Sequence, residues 1–261
     1  MKKFLNILFI IIVATGCTKD KKLSAKGFQV NEIQEDDKGK KIIGLKIDSL
    51  QFKTRPRNVL LTKQEDYRLI PIYKVNYHKK TGKPFTGSNQ FHTTWDSDDK
   101  DGNNWNSNFM PGFAAVRGYN LVNISHYNNV KRVQKEFFKT PVLVKNLYYP
   151  AATKDTLNFK PIQRNFYMVS VFDEDTNKDG FITVKDLRRF YWYNLNGEQV
   201  KPLVPKTYSV QNSEYDPEID MMYIFARLDN NGNGQVEENE DVHVFWVDLK
   251  TPENHGVQYI N

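Results

Sequence analysis

Cysteine is almost missing from this chain. Cys17 is the only one in 261 residues, so no intrachain disulfide can form, and the fold must rest on core packing or bound metal. Long apolar runs are scarce as well. After the short run from Phe4 to Ala14, no stretch is long enough for a membrane-spanning helix. The five histidines, His78, His92, His126, His243 and His255, show no H-E-x-x-H pairing, and G-x-S-x-G elbows, P-loops and dinucleotide fingerprints are all lacking. Charge of one sign is not concentrated anywhere: 37 Lys and Arg are interspersed with 31 Asp and Glu for a formal net charge of +6. That distribution makes a solvated surface rather than a basic stripe, so a nucleic-acid partner is not expected.

What is present starts with Met-Lys-Lys, the apolar run, and Ala14-Thr15-Gly16-Cys17. A charged start, a short apolar core and small residues before a cysteine form an export signal. The pattern resembles a bacterial lipobox, which implies cleavage after residue 16 and lipidation of Cys17. Residues 17–41 are rich in Lys, Asp, Glu and Gln and poor in aromatics, the composition of a flexible tether. Residues 42–261 then suffice for a single sizeable core.

Within that core two stretches dominate. Asp175-Thr-Asn-Lys-Asp-Gly-Phe-Ile-Thr-Val-Lys-Asp186 and Asp229-Asn-Asn-Gly-Asn-Gly-Gln-Val-Glu-Glu-Asn-Glu240 both have the form of calcium loops. A hard divalent cation takes oxygen ligands from positions 1, 3, 5, 7, 9 and 12 of such a loop, with Gly at position 6 for the turn. Those positions are Asp175, Asn177, Asp179, the Phe181 carbonyl, Thr183 and Asp186, with Gly180 at the turn. In the second loop they are Asp229, Asn231, Asn233, the Gln235 carbonyl, Glu237 and Glu240, with Gly234 at the turn. The apolar eighth residues, Ile182 and Val236, are expected to pair with each other between the two loops. Asp, Asn and Gly also favour plain turns; the complete ligand spacing in both stretches favours Ca2+ as the cofactor.

The flanks of the loops repeat with them. Under a constant shift of 54 (229 − 175), Met168 falls on Met222, Gly180 on Gly234, Trp192 on Trp246 and Leu195 on Leu249. These flanks, Tyr167-Met-Val-Ser-Val-Phe and Phe190-Tyr-Trp-Tyr, then Tyr223-Ile-Phe and Val242-His-Val-Phe-Trp-Val, favour strands over the helices of a helix-loop-helix hand. The expected fold is therefore all-β: antiparallel hairpins or small sheets with the loops inserted between strands, and at most a short helical turn. Echoes of the outgoing strand at Ile72–Tyr77 and Ile124–Asn128 would give four small sheets, with a propeller-like array as one arrangement they allow.

A weaker acidic turn contains Asp96, Asp98 and Asp101 before Gly102. It aligns with the first loop after one deletion, but Ser107 and Asn108 stand where the last ligand belongs. A solvated Asp/Gly turn is the plainer reading, with a weak third metal site as the lesser alternative. Among the tryptophans, Trp192 and Trp246 hold equivalent repeat positions and are expected in a structural role, while Trp105 is the better candidate for an exposed contact.

The stretch from about Leu121 to Tyr259 resembles the EF-hand-loop lipoproteins of Bacteroidota, and its strand-loop-strand units resemble calcium-loop insertions of TolB-like propeller proteins. The resemblance implies lipid anchoring and calcium binding without an assigned reaction. The leading expectation is a non-enzymatic binding or scaffold module of the bacterial envelope. It would be held by lipid on Cys17, in the outer membrane and facing the periplasm or the surface, with a protein or glycan partner. The contrasting readings are a calcium-stabilised envelope enzyme acting on glycans and a glycan-binding lipoprotein. The first would require two facing carboxylates in a cleft outside the loops.

Overall fold

The computed structural model describes residues 27–29, 32–33, 42–43, 52–78, 81–87, 89–92 and 110–260, with the backbone alone at 32–33, 42–43 and 89–92. Every regular element among them is a β-strand, and no described helix is long and apolar enough to cross a membrane. Phe166–Phe172 shows why the strands form where they do. Its sequence, Phe-Tyr-Met-Val-Ser-Val-Phe, is buried along its whole length, and a strand covered on both faces has no need to alternate.

That strand lies inside a six-stranded antiparallel sheet. In spatial order the sheet is Gln199–Pro202, Arg189–Asn194, Phe166–Phe172, Leu143–Pro150, Phe113–Gly118 and Asn89–His92. One face sends Phe166, Met168, Phe190 and Trp192 into a core shared with Met222, Ile224, Phe245 and Val247. The other sends Tyr167, Val169, Tyr191 and Tyr193 into a second core with Leu69, Tyr73, Leu121 and Ile124. Each large side chain so buried contributes roughly 1.5–3 kcal/mol by leaving water. These two cores, not strand propensity, therefore fix the arrangement.

The second core belongs to a first sheet in which Tyr67–Tyr77 pairs with Leu121–Asn128 and Thr54–Pro56, and Val133–Glu136 closes one side. The first core belongs to a last sheet, the meander Tyr208–Asp216, Met221–Leu228, Val242–Asp248 and His255–Tyr259. Antiparallel sheets thus stack face to face, an all-β architecture consistent with a propeller-like arrangement. The two weak echoes, however, do not found separate sheets. Both lie in two paired strands of the first sheet, where Ile72 and Tyr73 face Asn123 and Leu121, and Ile124–Asn128 faces Tyr67–Pro71.

A buried ion pair joins the middle and last sheets. Arg164 donates Nη1 and Nη2 to the two oxygens of Asp220 at 2.8 and 2.7 Å, Nη1 to the Leu249 carbonyl and Nε to the Pro111 carbonyl. Tyr215 Oη donates to the same carboxylate at 3.0 Å. Such a pair holds geometry when further hydrogen bonds supplement it, as the Leu249 and Pro111 carbonyls and the Tyr215 hydroxyl do here.

The segment expected to be a tether contains one docked piece. Phe28 and Gln29 pair with Ile182 and Phe181, and Phe28 is buried beside Val122, Leu143 and Phe172. Gly27 N donates to Asn120 Oδ1 at 2.9 Å, and Lys74 Nζ donates to the Gly27 carbonyl at 2.8 Å. Ile182 accordingly finds its partner in Phe28 rather than in Val236. The expected pairing of the two eighth positions is corrected by this contact.

Candidate metal loops

Both loops sit where the flanking strands place them. Phe166–Phe172 pairs with Arg189–Asn194 on either side of the first, and Met221–Leu228 pairs with Val242–Asp248 on either side of the second. The loops are therefore insertions in β-hairpins. Their starts are folded alike. Asp175 accepts the amides of Asp179 and Gly180 at 3.1 and 2.9 Å, and Asp229 accepts those of Asn233 and Gly234 at 3.1 and 3.0 Å. Asn177 and Asn231 accept the amide two residues on, at 3.0 and 2.9 Å, and Asp179 and Asn233 do so at 3.0 and 2.8 Å. Positions 4 and 6 take positive φ in both, at Lys178, Gly180, Gly232 and Gly234.

The ends differ. Asp186 is 1% exposed and uses both oxygens on the backbone, Oδ1 accepting Thr176 N at 2.9 Å and Oδ2 accepting Thr183 N at 2.7 Å. Burial pushes its pKa up, against these amides, which pull it down. Glu240 accepts the Glu237 amide on Oε2 at 3.0 Å. Its Oε1 is buried with no hydrogen-bond partner. Glu237 is drawn over the second loop by the Asn233 and Asn231 side-chain amides at 2.8 and 3.2 Å, and Arg227 Nη1 holds the loop's end by donating to the carbonyls of Glu237, Glu238 and Glu240.

Among the described residues, no group of three or more His, Cys, Asp or Glu converges as a metal-holding cluster. The carboxylates of the first loop are turned onto its own amides. Asp173, two residues before the loop, is also turned away from it: its Oδ2 accepts the Tyr191 hydroxyl at 2.7 Å, and burial raises its pKa despite that bond. The donor chemistry of the second loop nonetheless suits a hard cation. Its side-chain donors are all oxygens, the amide bonds leave the Asp229 carboxylate further lone pairs, and the unpartnered Glu240 Oε1 is a buried acceptor still to be matched. Asp96, Asp98, Asp101, Cys17, Trp95 and Trp105 lie outside the described residues.

The two loops meet through residues that the motif does not single out. Thr176 Oγ1 donates to the Gly234 carbonyl at 2.6 Å and accepts the Leu187 amide at 2.8 Å. A Cβ on Gly234 would collide with the Thr176 carbonyl, so this glycine serves the loop–loop approach as well as the turn. A cleft of about 590 Å³ lies alongside, bordered by Asp175, Asp229, Lys178, Arg189 and Lys206.

No family model, curated protein or solved structure matches this chain.

The repeat also has a limit. Met168 pairs with Trp192, but Met222 pairs with Val247 and Tyr223 with Trp246, a slip of one residue. A one-residue slip turns a side chain to the opposite face. Trp192 is consequently part of the core, whereas Trp246 is half-buried on the outer face, where Gly256 leaves room for its indole. The expected equivalence of the two tryptophans fails there.

Proposed function

We propose that this chain is a lipid-anchored calcium-binding protein of the bacterial envelope, working as a non-enzymatic binding or scaffold module. The observation that carries the reading is the shared hydrogen-bond scheme of the two loops, joined to the unpartnered buried oxygen of Glu240. Asp229, Asn231, Asn233, the Gln235 carbonyl, Glu237 and Glu240 would hold the ion in the second loop. Asp175, Asn177, Asp179, the Phe181 carbonyl and Thr183 would do so in the first, with Asp186 held on the backbone. A bound calcium ion supplies charge balance for the carboxylates and fixes the paired strands in register.

The two clefts described offer less to the glycan-processing reading. The smaller has no Asp or Glu in its lining, and the carboxylates of the larger belong to the loops or directly precede them. Titration calorimetry on the full chain in detergent tests the calcium claim. Binding with a dissociation constant of about 10⁻⁴ to 10⁻³ M, typical of extracellular calcium modules, is the expected result. Absence of calcium-dependent heat, with melting unchanged by chelator, would overturn it. Labelling with a radioactive fatty acid, lost in Cys17→Ser, tests the anchor separately.

A further inference from the structure

We infer that a second site, apart from the metal loops, binds a small tetrahedral oxyanion, a phosphoryl or sulfate group. It is a pocket of about 260 Å³ where the middle sheet meets the last, and Arg117, Lys145 and Arg188 bring three cationic side chains to it. Its lining contains no carboxylate. Among the described residues, none of the ion pairs involves Arg117 or Arg188.

The cations are placed by irregularities in the strands. The pairing register shifts between Val144 and Asn146 and again between Val210 and Asn212, and the residues inside those shifts, Lys145 and Gln211, both line the pocket. A bulge of this kind re-aims a side chain that a regular strand would direct elsewhere. Arg188 is fixed in advance: its Nε donates to the Val210 carbonyl at 2.5 Å and its Nη2 to the Gln211 carbonyl. Burial lowers its pKa to about 10, which leaves the guanidinium charged at neutral pH.

Two donors in the pocket lack acceptors. Ser170 is 4% exposed, and its Oγ is buried with no hydrogen-bond partner; Arg117 Nε is in the same position. Buried polar atoms are almost always paired, and an anion seated between these residues would satisfy both. The charge argues for a dianion, because the guanidinium groups of Arg117 and Arg188, outside every described ion pair and with no carboxylate in the lining, leave a monoanion outmatched. The geometry argues for a tetrahedral one. Donors arrive from several strands, whereas a planar carboxylate is best met by a single guanidinium edge.

The test is calorimetry and melting of the full chain in chelator, so that the metal loops do not contribute. Inorganic phosphate and sulfate are compared with acetate and chloride at equal ionic strength. Phosphate or sulfate should raise Tm by about 3–6 °C at ten times its dissociation constant, and the stronger of the two names the ligand's headgroup. Arg117→Gln with Lys145→Gln should weaken that binding about tenfold or more. Equal melting in phosphate, sulfate and chloride overturns the site, as does an undiminished gain in the double variant. Acetate stabilising as well as phosphate overturns the tetrahedral dianion. If the double variant does not fold, Ser170→Ala decides. It deletes a hydroxyl that bonds to no protein group, so folding is retained and phosphate affinity should fall about threefold or more; unchanged affinity overturns the site.

Discussion

The hairpin carrying residues 175–186 is covered on both sides, and its last carboxylate, Asp186, is bonded through both oxygens to backbone amides. The hairpin carrying residues 229–240 alternates between core and surface, and Glu240 keeps one buried oxygen without a partner. The starts of the two loops are the same, so the contrast arises at their ends. One methylene more at position 12, together with Arg227 drawing the second loop's carbonyls away, separates a carboxylate bonded through both oxygens from one that keeps a buried oxygen unpartnered. The comparison teaches that a ligand motif can be repeated in sequence while its members take different duties.

The largest effect that would sharpen this contrast comes from the tryptophans. Trp192→Ala removes a core ring and should cost about 3–5 kcal/mol in urea unfolding. Trp246→Ala, on the outer face, should cost about 1–2 kcal/mol. Equal losses would break the one-residue slip between the hairpins. Next come the twelfth positions. Asp186→Ala leaves the amides of Thr176 and Thr183 unpaired and should cost about 2–4 kcal/mol with or without calcium. Glu240→Gln should stay within about 1 kcal/mol of the parent in chelator. It should lose the calcium-dependent gain of its loop, about 2.7 kcal/mol when calcium stands at a hundred times the dissociation constant. If both variants respond alike to calcium in melting experiments, the division of duties is wrong.

The smallest effect is a pH dependence confined to the first hairpin's side of the molecule. His126 is buried against Tyr67 and Phe137, and its Nε2 contacts the Leu195 carbonyl at 2.9 Å. Burial lowers its pKa below the ordinary 6.5, against the Leu195 hydrogen bond, which acts to raise it. The unfolded chain therefore takes up this proton first. The stabilising contribution is fully present above about pH 6.5 and is lost as pH falls from there through the folded value. Melting followed from pH 8 to 5 should show a decline that is flatter in His126→Gln.

Much of this arrangement was legible in the residues. The flank Tyr167-Met-Val-Ser-Val-Phe read as a strand, and it forms one within Phe166–Phe172. The six-position spacing of the loops and their shared glycines gave two like turns. What could not be read were the contacts that sequence distance hides. Phe28 lies in a polar stretch, so nothing marked it as the partner of Ile182. Thr176 occupies a non-ligand position, so its hydrogen bond to Gly234 carried no motif. Arg117, Lys145 and Arg188 look like scattered surface charges until three strands bring them together, and the register slip at Trp246 depends on packing that a fixed offset of 54 residues cannot express.

The docking of Gly27–Gln29 against the first loop has a mechanical consequence. Gly27 lies only ten steps along the chain from Cys17 (27 − 17), and ten such steps reach at most about 35 Å when fully extended. A lipid on Cys17, as proposed, would therefore hold the body within that distance of the bilayer, through the strand paired beside Ile182. Under the proposed anchoring, tension between bilayer and body would load the two-residue pairing at Phe28 before any larger sheet, and the pull would fall directly on the wall of the first loop.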